Sequence, residues 1–538
     1  MATTGTPDGA VVPPQGGTTG VPAPGGVGTS FTASVLIALL CGALTGLALP
    51  KPSFCLLAWV SLAPLFWLWR GCASWRRAAL VGLAAGFGYH GTVLYWIYNT
   101  CRFAGLPRLV GLLAWGALAL FMALNWAVIG GLGRRFAEDR PRWRPWAWAA
   151  LWTAVTFFCE RWTPRLCTDV LGYTQGRALA LLQASSLAGP HFLGFLIVAA
   201  NAVLEQAWAE SGDRPRQAAT ASNLAVVLLL LAGSWGYGVF ELARRDAATR
   251  GPSARVEFLQ PAVDQYQKFD AQHARDIIAN FDELLSRPRT APPVLVIWPE
   301  TCLPYVVEAG RGLAEAAAWS RKLGAFQIVG AVSQEGSALR NSAFLLSPSG
   351  EVRGAYHKRQ LVPFGEFQPL QFLGRFIGIL NQLGGLTAGA PVQPFFETPL
   401  GRIAGSICYE AMFPRLARAD AGRGARLVVN VTNDGWYKDT WGPYQHFGVN
   451  LCRAIENRVT VLRGGNTGIS GVIDPWGVVT ARLDLNERGR LDAEVPLADP
   501  FPRRSFYARH GDWFGALCLL AAAGLIVFGR RQGDGGIS

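Results

Sequence analysis

Eight apolar runs, near residues 31–49, 53–69, 79–98, 106–133, 145–159, 179–204, 222–240 and 513–529, constrain this chain more than any other feature in it. A helix needs roughly 20 predominantly apolar residues to cross the hydrocarbon of a bilayer. Inside that layer the backbone must satisfy its own hydrogen bonds, which restricts spanning elements to helices and closed barrels. One such run could be a buried helix of a soluble protein; repetition along the chain excludes that reading. The runs at 53–69, 145–159 and 513–529 are short, and their boundaries are correspondingly loose. Composition points the same way, with 51% hydrophobic and only 16% charged residues, where soluble domains carry about a quarter charged. We therefore expect eight spans, seven of them within 31–244 and the eighth at 511–530.

Charge in the short loops sets the expected orientation. One side receives Arg70, Arg76, Arg77, Arg134, Arg135, Arg140, Arg142, Arg144, Arg214, Arg216, Arg530 and Arg531; the other has Lys51, Arg102, Arg108, Arg161, Arg165 and Arg177. The first side is the better cytoplasmic face, which puts both termini inside and the long segment 245–510 outside. Residues 1–30, rich in Gly, Pro and Thr, read as a disordered tail, and 531–538 as a short cytoplasmic one. The first apolar run lacks the basic flank of a cleaved signal and is expected to stay as a span.

The net charge of +13 does not point to nucleic acid, since no basic stripe with interleaved aromatics occurs. The 10 Cys show no CxxC and no disulfide-framework spacing. His90, His191, His273, His357, His446 and His510 form no HxH or HExxH pattern, so neither a metal nor another cofactor is expected.

The long segment changes character. Short β-rich runs at 255–259, 294–298, 326–332, 342–347, 403–408, 427–432, 459–463 and 469–473 alternate with helical patterns at 271–285, 308–323 and 447–457. That alternation predicts a layered α/β domain. The chain should thus combine a multi-span α-helical membrane domain with an α/β domain.

Three strings in that domain carry chemistry. Glu300 follows VLVIWP in WPETCLP, Lys358 sits in YHKRQLVPFGEF, and Cys408 ends RIAGSIC and opens ICYE. Ligand-binding groups of layered α/β domains favour the carboxyl ends of strands, which suits Glu300 and Cys408; Lys358 has no such support. A thiol nucleophile needs a base for its proton and a cation for the anion made on attack at a carbonyl. Taken singly, Cys408 would more often be a buried apolar thiol, and Glu300 and Lys358 surface charges. The three strings together argue otherwise.

In order and spacing, WPE, YHKRQLVPFGEF and ICYE resemble the nitrilase (carbon-nitrogen hydrolase) superfamily, and the flanking spans make the chain similar to its apolipoprotein N-acyltransferase family. Looser matches agree: Gly86 to Tyr89 with Tyr95 and Trp96, Glu160 to Trp162, Val256 to Asp270, and Asn433, Asp434, Gln445, His446, Arg453, Glu456, Asn457 and Arg463. The resemblance implies a nitrilase-like αββα sandwich. It further implies Glu300 as general base, Lys358 as oxyanion stabiliser and Cys408 as acylated nucleophile. Glu366 would support the lysine or orient the thiol; Tyr409 would offer its N–H to the oxyanion, and Glu410 would lie near the substrate mouth. Phe269 stands where the family commonly has Trp, and Trp436 belongs to an NDGWY variant of the family's pattern. The implied partners are a phospholipid acyl donor and a diacylglyceryl apolipoprotein acceptor, used by a monomer in the inner membrane. An apolar, broken run at 367–383 reads as an interfacial lid hinged at Gly384 and Gly385. A membrane-tethered amidase or a transferase for another amine acceptor would use the same three residues, and an inert scaffold would keep only the fold.

Overall fold

The computed structural model describes residues 30–138, 142–163, 170–210, 214–265, 267–268, 270, 272–308, 312–367 and 385–534. Phe269 and most of the expected lid, 368–384, lie outside the described residues.

Among the described residues three helices are long and apolar enough to cross a membrane, Arg108–Phe136, His191–Ala209 and Gln217–Ala248; Trp75–Val93 with Trp96–Phe103 adds a fourth that bends by 50°. Shorter apolar helices cover Phe31–Gly46, Cys55–Gly71, Leu179–Ala188 and Trp513–Phe528. Besides that bend in the expected run 79–98, two further expected runs differ from single straight spans. The run 179–204 breaks at Gly189, whose φ is +78, and at Pro190, so the continuous helix starts at His191. The run 53–69 is a 3₁₀ turn, Cys55–Trp59, followed by a short helix, Ala63–Gly71, with proline in its first turn. Small residues let these helices approach: Gly42 and Gly88 bring Phe31–Gly46 against Trp75–Val93, and Gly82 and Gly86 bring the latter against Trp126 on Arg108–Phe136.

The second body is a sandwich of two sheets. One has the order β13-β1-β2-β4-β5-β6, with β3 added beside β4. Its strands are β1 (Ser253–Gln260), β2 (Leu295–Ile297), β3 (Val307–Glu308), β4 (Phe326–Glu335), β5 (Ala338–Leu346), β6 (Val352–His357) and β13 (Gly489–Pro496). The other has the order β12-β11-β10-β9-β8-β7, built from β7 (Phe396–Thr398), β8 (Gly401–Ile407), β9 (Leu427–Thr432), β10 (Thr460–Gly465), β11 (Ser470–Ile473) and β12 (Val479–Leu483). Both centres are parallel, β1-β2-β4 and β8-β9-β10, and antiparallel strands finish the edges. Central strands such as β9 (LVVNVT) are buried along their whole length, as parallel strands covered on both faces must be. Val256, Phe258, Ile297, Ile403, Val429 and Leu462 fill the space between the sheets. Helices Ala274–Ser286 and Ala314–Leu323 cover the outside of the first sheet; Pro414–Gly422 and Gly442–Asn457 lie outside the second. The result is the αββα layering.

Gly442–Asn457 is shared by the two bodies. Its Phe447 and Ala454 pack on the second sheet, whereas Val449, Cys452 and Ile455 join the core of the membrane helices. The bend after Val93 meets the same region: Trp441 N–H donates to the Tyr95 hydroxyl at 3.1 Å, and Thr100 Oγ1 donates to the Trp436 carbonyl at 3.0 Å.

Candidate active site

Glu300, Lys358 and Cys408 come from three strands and meet at one end of the sandwich. Glu300 follows β2 by three residues, in a turn drawn tight by Cys302 N–H donating to the Gly330 carbonyl at 2.8 Å. Lys358 immediately follows β6, a strand not expected from the sequence, so it too stands at a strand's carboxyl end. Its backbone is fixed by donation to the Asn341 carbonyl at 2.8 Å. Cys408 immediately follows β8 and opens a 3₁₀ turn, Cys408–Met412, with φ +50. A non-glycine residue in that region is held there by its surroundings, and such positions cluster at functional sites.

The lysine ties the carboxylates together. Lys358 Nζ donates to Glu300 Oε1 at 3.2 Å and to Glu366 Oε1 at 2.8 Å. Asn341 Nδ2, from β5, donates to the same two oxygens at 2.7 and 3.0 Å. Burial works to lower the Lys358 ammonium, but the Glu300 and Glu366 carboxylates outweigh it and hold the group above its ordinary value. Lys358 is therefore a fixed cation. Burial first, and then the Glu300 charge, push the Cys408 thiol up to about 12, against a pull from Lys358 in the other direction. The resting group is the neutral thiol, and its proton has to leave during attack.

A second lysine, Lys268, lies below Glu300. It is buried, and its Nζ donates to the Glu300 carbonyl and to Thr301 Oγ1, both at 2.8 Å. Thr301 has φ +43, so this lysine clamps a left-handed turn beside the carboxylate.

The remaining expected residues are distributed unevenly. Glu366 is in the cluster, and its second oxygen accepts from Val362 N–H at 2.8 Å. Tyr409 is buried with its ring edge-on to Phe413, 4.9 Å between centroids. Glu410 is also buried. Its oxygens accept from the backbone N–H of Ile407, Arg359 and Gln360 and from the Tyr356 hydroxyl, at 2.7–3.1 Å. It is a brace joining the end of β6 to the turn at Cys408. Trp436 is 43% exposed on the face where Thr100 approaches. Cys302, the other thiol near Glu300, donates to the Gly330 carbonyl at 3.1 Å and packs in the core between the first sheet and its helices. His357 turns away from Lys358, its Nδ1 meeting Ser342 Oγ at 2.8 Å. Among the described residues no group of three His, Cys, Asp or Glu is arranged to hold a metal.

An αββα sandwich with a thiol, a carboxylate and an ammonium at its strand ends, carried on membrane helices, has the layout of a membrane-borne carbon-nitrogen hydrolase domain. Residues 235–500 match the Carbon-nitrogen hydrolase family and 41–203 match the Apolipoprotein N-acyltransferase N-terminal domain. The chain is 34% identical to the apolipoprotein N-acyltransferase of Geobacter metallireducens, over 92% of its own length and 95% of that relative. It is 31% identical to the enzyme of Agrobacterium fabrum, over 92% and 97%. Among solved structures, an amidase from Nesterenkonia sp. aligns with 47% of this chain and 94% of its own, at 24% identity and a TM-score of 0.36. The chain belongs to the apolipoprotein N-acyltransferase family, and it is a multi-pass membrane acyltransferase of lipoprotein maturation.

Proposed function

We propose that this enzyme moves an acyl chain from a membrane phospholipid, through a thioester on Cys408, to the α-amino group of the N-terminal diacylglyceryl-cysteine of an apolipoprotein. Glu300 takes the thiol proton as Sγ bonds to the ester carbonyl carbon, whose π pair moves onto oxygen. Lys358, with the Tyr409 N–H, stabilises that oxyanion. Collapse breaks the carbon–oxygen bond to glycerol; the leaving oxygen takes the proton back from Glu300 and departs as a lysophospholipid. The acceptor amine then attacks the thioester, gives its proton to Glu300, and releases the Cys408 thiolate, which is reprotonated.

The observation that carries this reading is the single ammonium of Lys358 shared by two carboxylates beside a thiol on a left-handed turn. Contacts of the nucleophile's domain with the bend at Tyr95 and Thr100 support a site near the membrane surface, where both lipid-anchored substrates lie. The domain limits read from the sequence, 31–244, 245–510 and 511–530, and the placement of 245–510 outside the cytoplasm belong to the same proposal. A reporter fused within 480–500 should be active outside the cytoplasm, and one within 134–144 inside it; the reverse would overturn the orientation.

Incubation with phospholipid and no acceptor should leave one acyl chain on the full-length protein, released by neutral hydroxylamine and mapped to the peptide of Cys408. Cys408→Ser swaps the thiol for a hydroxyl of much higher pKa and should leave turnover at background. A chain found on Cys302 while Cys408→Ser still turns over would sink the mechanism.

A further inference from the structure

Behind the nucleophile lies a chain of buried polar side chains that no step of the transfer uses. His446 Nε2 is 2.8 Å from the Cys408 carbonyl oxygen. Nδ1 of the same ring is 2.8 Å from Asp434 Oδ1 and 3.2 Å from Arg463 Nη2. Arg463 closes the set by donating to Asp434 Oδ2 at 2.8 Å and to Asn430 Oδ1 at 2.6 Å. Asn430 Nδ2 reaches the Cys408 carbonyl only at 3.4 Å, so the imidazole is its main donor. A carbonyl oxygen only accepts, so Nε2 carries a proton whichever partner Nδ1 serves.

These four residues come from separate elements: Asn430 from β9, Asp434 from the turn after it, His446 from Gly442–Asn457 and Arg463 from β10. Asp434 and Arg463 are 1% and 0% exposed, and such a buried pair needs every partner it has. Gly468 has no side chain because a Cβ there would run into the Asp434 carboxylate. The helix bearing His446 is packed on both faces, so the imidazole cannot drift from the carbonyl.

The carbonyl of Cys408 and the N–H of Tyr409 are two ends of one planar peptide. A hydrogen bond accepted at the oxygen fixes the plane and, through amide resonance, makes the N–H a stronger donor. We propose that His446, held by Asp434 and Arg463, is a positioning residue for acyl transfer: it orients and polarises the Cys408–Tyr409 peptide that receives the oxyanion. This inference rests on Cys408 being the acylated nucleophile. His446 touches neither substrate nor the reacting atoms, and its effect runs through the peptide.

Alkylation by iodoacetamide separates this role from general support of the fold, because displacement of iodide by the thiol develops no oxyanion. The full-length enzyme is assayed in mixed micelles of phosphatidylethanolamine and phosphatidylglycerol, with a diacylglyceryl lipopeptide as acceptor. His446→Leu should lower kcat roughly 10- to 100-fold, below the loss for removal of an oxyanion donor itself, with KM for phospholipid within about twofold. Alkylation of Cys408 should proceed at the wild-type rate, and His446→Gln, whose amide can donate to the same carbonyl, should recover most of kcat. Unchanged kcat in His446→Leu would overturn the inference, as would alkylation falling in step with kcat, or a His446→Gln protein no better than His446→Leu. Failure of the parent reading looks different: the wild-type protein itself would then carry no hydroxylamine-labile chain on Cys408.

Discussion

The membrane helices and the sandwich each hold a cluster of buried charge, and the two are built for different ends. In the membrane part, Arg144 is paired with Glu205 and lies 3.0 Å from Glu138, while Arg70 lies 2.8 Å from Glu205 and 3.7 Å from Glu210. These residues stand at or just beyond the ends of neighbouring helices, so the pairs tie those ends together. In the sandwich, two carboxylates converge on one ammonium, an amide bridges the same oxygens, and a thiol on a left-handed turn lies beside them. Buried charge alone therefore does not mark chemistry. What sets the second cluster apart is charge gathered at strand ends around a thiol.

The sharpest way to break that contrast is to remove one charged partner from each cluster. Lys358→Ala should lower turnover per folded molecule on the order of 10²- to 10³-fold, the scale for a single oxyanion stabiliser, in addition to any fall in Tm from leaving Glu300 and Glu366 without their cation. Truncating Glu205 to Ala leaves Arg144 without its main partner, and breaking a buried pair in this way costs about 3–5 kcal/mol of stability. The Glu205→Ala protein should melt at a lower temperature in detergent yet keep its turnover per folded molecule. Equal loss of turnover in both variants, without a stability change in the second, would erase the distinction between clamp and site.

A smaller effect tests the bridging amide. Asn341→Leu removes two hydrogen bonds to carboxylate oxygens while leaving Lys358, Glu300 and Glu366 in place. Bonds to charged groups contribute about 1.5–3 kcal/mol, so a loss of roughly 10- to 100-fold is expected if one of the two acts at the transition state. It should appear in kcat rather than in KM. A variant as active as wild type would mean that Lys358 alone organises the carboxylates.

How far the site could be read from the sequence follows from how local each part is. WPE and ICYE place an acid and a thiol directly after runs of apolar strand residues, so Glu300 and Cys408 were legible as strand-end groups. Lys358 occupies the same kind of position, but β6, VRGAYH, has little apolar alternation and is exposed along its first half, which hid the strand. β12 and β13 were missed for a related reason: VTARL and GRLDAEVP are polar sequences at or near sheet edges. Nothing local distinguishes Asn341. It reaches Glu300 because β4 lies between β2 and β5, pairing Ile328 with Ile297 and Val332 with Asn341, and it meets Lys358 because β5 pairs with β6 in the register that sets Ser342 opposite His357. The contacts of His446 likewise depend on a helix, a turn and two strands meeting, and its place in a resembling string said nothing of what it touches. In the membrane part, apolar composition located the helices well, while Gly189 and Pro190 decided where one of them begins.

The smallest effect concerns Lys268, which sets the sandwich apart from the clamp in one further respect: it carries a cation whose charge the fold opposes. Burial lowers its ammonium to about 8, and the pull of Glu300 restores only part of the difference. An unfolded lysine titrates near 10.4. Between about pH 8 and 10.4 the unfolded chain therefore binds more protons at this site than the folded one, and stability rises with pH across that window. Below pH 8 both states are charged and the burial cost is present in full. Glu456 acts on the other side: its carboxyl is raised to about 8 by burial, so its contribution is lost as pH rises to that value and is flat beyond it. Above pH 8 the Lys268 contribution, at most roughly 1.4 kcal/mol per pH unit, runs against that of the buried thiols of Cys302 and Cys408, raised to about 12, so it is read as a difference between two proteins that share those thiols. Lys268→Met cannot bind a proton, so its Tm measured against that of the wild-type protein should fall between pH 8 and 10. Identical Tm profiles in the two proteins over that range would show that the ammonium keeps its ordinary affinity for protons, and that the clamp on Glu300 and Thr301 is no more strained than a surface lysine.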